Sequence, residues 1–399
     1  MSEPRQRRVL ILSAGVGRGH HAAAEGLREE FARLTPATNV TVRNGLGAPS
    51  SALRGFLERF TRWQLTHCPR AYSLTYALGV HSRVGRWLSS RLLYRAARGR
   101  LGRVIAAERP DVVVSTYPGI TAPLGVMRQR GELDRPLCAL ITDLASLHFW
   151  AHPGADLHLA SYPESLPEIA SVSAADNAIA VAPPLGAVHR ASQTVAQARD
   201  KLGLEHDTPL VLITGGGWGL GDLAGAVSAA VELDGAQVVV VCGENERGAR
   251  RLERRYRSVA RVRILGYSSQ MAPLLAAADV LVHGTAGVTC LEAAAHRCPV
   301  ISYGLGVGHI AHNTRAMVKL GLIAHAGDIP SLTRELRRLI ENPSRPPAPV
   351  AGHSAARAIL ELSDRRARGP SFAAAEAPVA VDEFCPEGSH RPGPVGVSV

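Results

Sequence analysis

Uninterrupted apolar runs followed by small-residue loops recur along most of this chain. The runs lack the alternation of a half-exposed strand, so they predict strands buried on both faces, as in a parallel sheet. The predicted strands are Val9–Ser13, a strand ending at Asn44, Asp111–Ser115, Leu137–Ile141, Asn177–Val181, Pro209–Thr214, Val238–Val241, Val280–His283 and Pro299–Tyr303.

Helical stripes alternate with these strands. Leu27, Phe31 and Leu34 form one such stripe in a helix that runs from His20 to Leu34. Further helices are predicted at 191–202, 288–296, 329–340 and 355–362. This alternation predicts an α/β protein with two doubly wound, Rossmann-like domains that face each other across a cleft.

The proline-containing segment Ala182–Gly186 divides the two predicted domains. We expect an N-terminal acceptor-binding domain at 1–184 and a nucleotide-sugar domain at 185–345. A helix at 346–362 is expected to return to the first domain. Alanine, proline, glycine and charged residues dominate 363–399, which predicts a disordered tail.

The charge is basic and carried by arginine. The formal net charge is +11, and Lys201 and Lys319 are the only lysines among 45 basic residues. This balance suits nucleic acid, anionic lipid or phosphorylated substrates. We find no nucleic-acid-binding motif and no apolar run long enough to span a membrane. The six cysteines form no CxxC pair, which indicates reduced thiols and a cytoplasmic protein.

Much of the charge falls in the segment 47–109. Between Arg83 and Arg109 there are eight arginines and one acidic residue, Glu108, and Trp87 and Leu92 are among the interleaved apolar residues. Such a helix could lie on an anionic membrane surface or could be a solvated basic helix packed on its own domain. For the first alternative, the predicted contacts are Arg83, Arg86, Arg91, Arg95 and Arg98. No nucleic acid partner is predicted.

A glycine-rich loop precedes the first helix. Gly15, Gly17 and Gly19 lead directly to His20. A dinucleotide fingerprint does not fit, because its third glycine would be His20 and the next strand ends in Asn44 rather than an acid. A helix start disfavours imidazolium, so His20 is a candidate general base. Its alternative role is a hydrogen bond at the helix start.

Other loops at strand ends carry candidate chemistry. The loop Gly284–Gly287 opens a helix whose backbone N–H groups could hold an anion, and Glu292 sits one turn into that helix. Asp143 ends a strand, where sites in such folds lie. His148, His152 and Asp156 could suggest a metal, but no ligand spacing supports one, so no metal and no cofactor are predicted.

These motifs together resemble the family 28 glycosyltransferases, closest to the monogalactosyldiacylglycerol and glucosyldiacylglycerol synthases. More distantly, they resemble the transferase that forms lipid II. The resemblance covers roughly 9–325. The matching motifs are Gly15–His20 with Ala22 and Ala23, Thr142–Trp150, Gly215–Gly221, Val241–Gly243, Gly266–Tyr267 with Met271, Thr289–Ala293, and Gly308–Asn313.

The resemblance implies a GT-B fold and inverting transfer of a sugar from a UDP-sugar to a lipid hydroxyl at the inner face of the plasma membrane. His20 would be the catalytic base, and Asp143 would orient the base or the acceptor. Backbone groups near Gly215–Gly217 and Gly287–Val288 would hold the diphosphate, and Glu292 would hold the ribose. The implied nucleotide-sugar site contains Gly17, Gly19, Gly215, Gly216, Gly217, Gly266, Tyr267, Met271, Gly287, Val288, Thr289, Glu292, His309 and Asn313.

Three positions depart from the family pattern. His309 and Ile310 stand where the family has the Gln-Glu pair that contacts the donor sugar, and Ala286 replaces a glycine. The donor sugar therefore cannot be deduced from sequence. Two alternatives stay open: a non-catalytic GT-B protein that binds nucleotide at a membrane surface, and a GT-B UDP-sugar 2-epimerase.

Overall fold

The described residues form two six-stranded parallel sheets with helices between the strands, which confirms the predicted α/β architecture. The computed structural model describes residues 6–15, 18–46, 63–65, 68–190, 193–304, 306–343, 345–346 and 352–367. The strands of the first sheet, in the order β2-β1-β3-β4-β5-β6, are β1 Arg8–Ser13, β2 Asn39–Asn44, β3 Val112–Ser115, β4 Leu137–Leu140, β5 Leu157–Ala160 and β6 Ala178–Ala180.

The second sheet repeats this doubly wound arrangement with the order β12-β11-β10-β7-β8-β9. In both sheets the strand that begins the unit, β1 or β7, lies inside the sheet, so the chain winds outward in both directions from it. The strands of the second sheet are β7 Leu210–Thr214, β8 Gln237–Val241, β9 Val262–Leu265, β10 Val280–His283, β11 Val300–Tyr303 and β12 Ala324–Ala326.

Helices cover both faces of each sheet, and their apolar stripes complete the cores. The helices are α1 Gly19–Leu34, α2 Pro69–Tyr76, α3 Arg83–Glu108, α4 Pro118–Gln129, α5 Leu166–Ala170, α6 Ala187–Arg190, α7 Val195–Leu202, α8 Leu223–Val231, α9 Glu246–Tyr256, α10 Met271–Ala277, α11 Val288–Ala295, α12 Gly308–Lys319, α13 Ile329–Glu341 and α14 Ala355–Ala367. Shorter helical turns are Ala77–His81, Leu147–Phe149, Pro163–Ser165 and Ala175–Asn177.

The sequence analysis missed three strands, β5, β9 and β12. Each is short, and each has a basic side chain inside it: His158, Arg263 and His325. A polar residue in a run of three or four breaks the apolar pattern on which the prediction depends. Pairing with neighbouring strands overrides this local signal.

The predicted helix 191–202 is wrong at its N-terminal end. Helix α7 begins at Val195 because Thr194 forms a capping box with Gln197. The Thr194 hydroxyl accepts from the Gln197 backbone N–H, and the Gln197 side chain accepts from the Thr194 N–H. These two bonds satisfy the backbone N–H groups of Thr194 and Gln197 and so fix the start of the helix at Val195.

The last helix returns to the first sheet. In α14, Ala355 and Ile359 are fully buried in the core that contains Val9 and Phe31. The helix continues to Ala367, past the predicted end at Leu362, so 363–367 are helical where the sequence analysis expected disorder. The rest of the expected tail, 368–399, lies outside the described residues.

The long basic helix α3 has both a packed and an exposed face. Tyr94 and Leu101 are buried against the first sheet unit. The apolar side chains on the exposed face are Val84, Trp87, Leu88 and Leu92, each at least half exposed. No helix among the described residues is long and apolar enough to cross a membrane.

Candidate functional site

A cleft of about 1420 Å³ lies between the two sheet units and is lined by both. It collects nearly all the predicted site residues that the structure describes. Gly266 does not line it, and Gly17 lies outside the described residues. The predicted residues that line it are Gly19, His20, Asp143, Gly215, Gly216, Gly217, Tyr267, Met271, Gly287, Val288, Thr289, Glu292, His309 and Asn313.

His20 lies in the first turn of α1 and is held from several sides. Its ring makes an edge contact with Tyr117, at 5.0 Å between centroids, and lies 5.5 Å from Trp150. The Thr142 hydroxyl is 3.3 Å from His20 Nδ1. If Nδ1–H donates to this hydroxyl, Nε2 carries the lone pair and can accept a proton.

The surroundings of His20 keep its ring neutral. Desolvation lowers the pKa of His20 from 6.5 to about 4, Asp143 opposes this shift, and His309 adds to it. The sequence analysis expected the helix start to be the cause, whereas burial is the larger one. A neutral imidazole at the floor of a cleft is able to accept a proton from a bound molecule.

Asp143 and Asn313 bind each other across the cleft. The Asn313 amide N–H₂ donates to Asp143 Oδ1 at 2.9 Å, and its carbonyl oxygen accepts from the backbone N–H groups of Leu144 and Ala145. Trp150 Nε1 donates to the other Asp143 oxygen at 2.8 Å. Through these bonds Asn313 joins the two halves at the cleft.

Two loops of the second half, Gly215–Gly217 and Gly284–Gly287, face each other at the wall of the cleft. Gly216 adopts a left-handed conformation with φ +70°, and a Cβ placed there would lie 3.7 Å from Thr285 Oγ1 of the opposite loop. A side chain at Gly217 would overlap Arg18. Helix α11 starts at Val288 directly after the second loop, and its first N–H groups have no partner within the helix. The two loops can therefore present backbone donors to an anion.

Ala286 occupies a left-handed conformation with φ +43° and is fully buried. This conformation is costly for a residue with a Cβ, by about 1–2 kcal/mol. It gives the physical reason for the glycine that the resembling family has at this position. Alanine is tolerated because its methyl group lies in the core with Cys290 and Leu291.

Glu292 is nearly fully buried beside two histidines. Burial raises the pKa of Glu292 to about 7, against a hydrogen bond from the Thr289 side chain that lowers it. His189 Nε2 lies 3.5 Å from Glu292 Oε1, and His189 Nδ1 lies 3.2 Å from His296 Nε2. The sequence analysis missed His189, which lies in α6 just after the linker, because nothing local connects the linker to Glu292.

Arg18 was also missed, although it lies within the first glycine-rich loop. Its guanidinium pairs with Glu244 of the other half at 2.8 Å and lies 4.9 Å from the centre of the Tyr267 ring. Both members of the ion pair are largely exposed, so Arg18 can exchange Glu244 for another anion at little cost in free energy. Tyr267 itself is 59% exposed and available to a planar ligand.

His309 and Ile310, which stand where the family has its Gln-Glu pair, contact residues of the first half. The Tyr72 hydroxyl, from α2 of the first half, lies 3.2 Å from His309 Nδ1. Ile310 is buried with Leu65 and Leu220 in a small apolar cluster that joins the halves. This end of the cleft is therefore shaped by apolar packing and by a Tyr72–His309 pair.

The three residues considered as metal ligands bind different partners. Both carboxylate oxygens of Asp156 accept hydrogen bonds from the Arg128 guanidinium. His148 Nδ1 lies 2.8 Å from Glu168. His152 Nδ1 accepts from the Gly154 N–H. Among the described residues, no group of three or more potential ligands could hold a metal ion.

Comparison with known families shows which proteins this chain is similar to. Residues 20–182 match the family model of monogalactosyldiacylglycerol (MGDG) synthase. This chain is a glycosyltransferase that is similar to the MGDG synthases. Residues 211–342 match the model of group 1 glycosyl transferases, so the two matches fall on the two sheet units.

Curated relatives agree with this assignment. The processive diacylglycerol beta-glucosyltransferase of Bacillus subtilis is 26% identical over 302 residues, which cover 74% of this chain and 77% of that protein. Monogalactosyldiacylglycerol synthase 1 of Arabidopsis thaliana is 24% identical over 340 residues, covering 79% of this chain and 62% of that protein.

Solved structures show the same GT-B fold at low identity. A putative UDP-N-acetylglucosamine 2-epimerase from Listeria monocytogenes superposes with a TM-score of 0.59 and 14% identity, covering 90% of this chain and 95% of that one. MurG from Acinetobacter baumannii gives a TM-score of 0.54 at 14% identity, covering 90% and 99%. These likenesses concern the fold, which transferases and epimerases share.

Proposed function

We propose that this glycosyltransferase moves a sugar from a UDP-sugar to the hydroxyl of a diacylglycerol-type or glycolipid acceptor, with inversion at the anomeric carbon. The observation that carries the proposal is the neutral His20, which lines the cleft opposite the two backbone loops of the other half. The name of the Bacillus subtilis relative states diacylglycerol as the acceptor, and the name of the Arabidopsis relative states a galactosylated diacylglycerol as the product. The MGDG synthase family model matches residues 20–182, the unit that contains His20.

The geometry supports a single displacement. His20 Nε2 takes the proton of the acceptor hydroxyl, and the acceptor oxygen forms a bond to the anomeric carbon from the side opposite the diphosphate. The bond between that carbon and the diphosphate oxygen breaks, and UDP leaves with the electron pair. Thr142 orients the ring through Nδ1, and Asp143 stabilises the imidazolium that forms.

The second half would hold the leaving group and the nucleoside. Backbone N–H groups at Gly215–Gly217 and at the start of α11 face the position expected for the diphosphate. Glu292 would accept hydrogen bonds from the ribose, and Tyr267 with Met271 would border the base. His309, fixed by Tyr72, would face the donor sugar.

A lipid acceptor must reach the cleft from a membrane. We therefore propose peripheral attachment to the inner face of the plasma membrane through α3, whose Arg83, Arg86, Arg91, Arg95 and Arg98 stand on the same helix as its exposed apolar residues. The arginines from Arg95 to Arg103 also line the cleft. This arrangement would place the cleft entrance next to the lipid surface.

Incubation with a mixture of UDP-sugars and a lipid extract, followed by mass spectrometry, tests the proposal. The expected result is a lipid whose mass increases by one hexose, with release of UDP. A donor that is epimerised without any glycosylated lipid would instead identify a 2-epimerase. Binding of UDP with neither product would identify a non-catalytic nucleotide-binding protein, an outcome consistent with the lost Gln-Glu pair.

A further inference from the structure

His283 ends β10, an interior strand of the second sheet, and its side chain lines the cleft. Its backbone pairs in register with Thr214 of β7 on one side and with Ser302 of β11 on the other. Only 1% of the residue is exposed. The imidazole therefore projects from a fixed backbone at the carboxyl end of the parallel strands, where ligands of this fold class bind.

The hydrogen bonds of the ring determine which of its nitrogens carries the proton. The Thr285 backbone N–H donates to His283 Nδ1 at 3.1 Å. A nitrogen that accepts a hydrogen bond carries a lone pair, so the proton of the neutral ring lies on Nε2. Burial lowers the pKa of His283 from 6.5 to about 4, so the ring is neutral at neutral pH. His283 therefore presents a single side-chain donor, Nε2–H.

Among the residues that the structure describes, this donor has no acceptor. His283 Nε2 is buried and makes no hydrogen bond. A hydrophobic side chain of similar size would fill the same space without desolvating an N–H group, so packing alone gives no reason for a histidine. Buried polar groups in folded proteins are nearly always paired. The unpartnered N–H therefore indicates an acceptor that belongs to a bound molecule.

His283 Nε2 lies close to both loops at the second-half wall of the cleft. A Cβ built at Gly216 would lie 3.9 Å from this nitrogen and 3.7 Å from Thr285 Oγ1. Gly216 has φ +70°, a conformation that favours glycine, and the absence of a side chain there leaves access to Nε2. An acceptor that bonds to Nε2 from this side therefore lies beside the Gly216 backbone.

The neighbouring groups indicate the chemistry of that acceptor. Helix α11 starts directly after the loop Gly284–Gly287, so its positive end and its first N–H groups belong to the same wall. A phosphate oxygen suits these donors because it is negatively charged and accepts several hydrogen bonds at once. The base and the ribose are proposed to lie against Tyr267, Met271 and Glu292, which leaves the diphosphate for Nε2.

We propose that His283 Nε2–H donates a hydrogen bond to a phosphate oxygen of the bound nucleoside diphosphate. This assignment deepens the proposed function and rests on it. His283 would add a side-chain donor to the backbone donors of the two loops. Because negative charge builds on the diphosphate as its bond to the anomeric carbon breaks, the same hydrogen bond would stabilise the leaving group during transfer.

Calorimetry of the full chain with UDP and with uridine tests the contact. His283→Phe keeps a ring but removes the donor, and should weaken UDP binding about 10-fold while leaving uridine binding unchanged. His283→Gln places an amide N–H₂ near the position of Nε2 and should recover part of the loss. His325→Phe is the matched control, because it makes the same change at an exposed residue of β12 that does not line the cleft. UDP affinity should be unchanged in this control.

The two ligands separate a phosphate contact from a structural role. Equal losses for UDP and uridine in His283→Phe would overturn the proposal, because a distorted site weakens the binding of both. Unchanged UDP affinity in that variant would also overturn it, and the proposed function would stand as long as the native protein binds UDP. A native protein that binds no UDP would contradict the proposed function itself, and the assignment of His283 would fall with it.

NMR of the native protein gives a second test that does not depend on the folding of any variant. Long-range proton–nitrogen spectra of the imidazoles, with His283 assigned through its own backbone signals, should show the Nε2–H tautomer. Addition of UDP should move the Nε2–H proton signal downfield as the hydrogen bond to phosphate forms, whereas uridine should leave it in place. An Nδ1–H tautomer would overturn the proposal, because Nε2 would then have no proton to donate.

Discussion

His20 is the side chain on which the proposed chemistry depends. Replacing it with alanine should lower turnover by about 10²–10⁴-fold, the usual effect of a positioned base. UDP affinity should stay nearly the same, because the nucleotide-binding loops belong to the other half. Single-turnover kinetics with calorimetry of UDP binding measure both quantities. Near-normal turnover in a regime where chemistry limits the rate would show that another group removes the proton.

Glu292 is the residue expected to hold the ribose. Glu292→Ala should weaken UDP binding by about 1.5–3 kcal/mol, as for hydrogen bonds to a charged acceptor. Because the pKa of Glu292 in the free protein is raised to about 7, the carboxylate gains its charge as pH rises through that value. UDP affinity should therefore increase between pH 6 and 8. The native protein should also discriminate against 2′-deoxy-UDP, and equal affinities for the two would remove the ribose assignment.

At the scale of an element, the turn before α11 contains a strained residue. Ala286→Gly removes the strain of a Cβ in a left-handed backbone conformation, about 1–2 kcal/mol. This gain opposes the larger conformational entropy that glycine gives to the unfolded chain, so thermal stability should stay the same or rise. Ala286→Val adds a β-branched side chain at the same φ and should lower both stability and UDP affinity. Thermal melts with and without UDP measure both effects. A valine variant as stable as the native protein would show that the turn can adopt another conformation.

Helix α3 should dock the protein on anionic membranes. Replacing Arg91, Arg95 and Arg98 with glutamate should abolish binding to anionic vesicles, because each arginine near such a surface contributes roughly 1 kcal/mol. Arg95 and Arg98 line the first-half side of the cleft, whereas the loops proposed to hold UDP belong to the other half, so UDP affinity should stay intact. Binding should weaken as salt rises, and the exposed Trp87 and Leu92 should retain a salt-insensitive part. Sedimentation with neutral and anionic vesicles provides the measurement. If the triple variant still sediments like the native protein, another surface meets the membrane.

At the scale of the whole molecule, buried histidines should make stability depend on pH. The pKa values of His20, His152, His189 and His283 are each lowered from 6.5 to about 4 by burial. Above pH 6.5 these groups are neutral in both states and add no pH dependence. As pH falls from 6.5 to 4, the unfolded chain binds protons that the folded protein does not, so the free energy of unfolding decreases by roughly 1.4 kcal/mol per pH unit for each proton of difference.

Glu292 acts in the opposite direction over part of that range, because its pKa is raised in the folded protein, but it is one group against four. Urea unfolding followed by tryptophan fluorescence at several pH values from 7 to 4 should show a steady loss of stability. A free energy of unfolding that stays constant over this interval would mean that the histidines are more hydrated than their burial indicates.

The sequence by itself determined the two parallel sheets and the position of most loops in the cleft. Val280–His283, the start of α11 at Val288 and the glycines at Gly215–Gly217 could be predicted, because apolar runs, helix starts and glycine loops are patterns of neighbouring residues. Strands β5, β9 and β12 could not, because His158, Arg263 and His325 break the local pattern and pairing with other strands decides their state.

Only the tertiary structure decided which side chains meet in the cleft. Asn313 reaches Asp143 from 170 positions away, Tyr72 meets His309 across 237, and Arg18 pairs with Glu244 across 226. The orphaned N–H of His283 becomes visible only after the folding of its neighbours is known. The physical reason is that hydrogen bonds and desolvation depend on distances in space, which the packing of the two halves sets, whereas periodicity records only the order of residues along the chain.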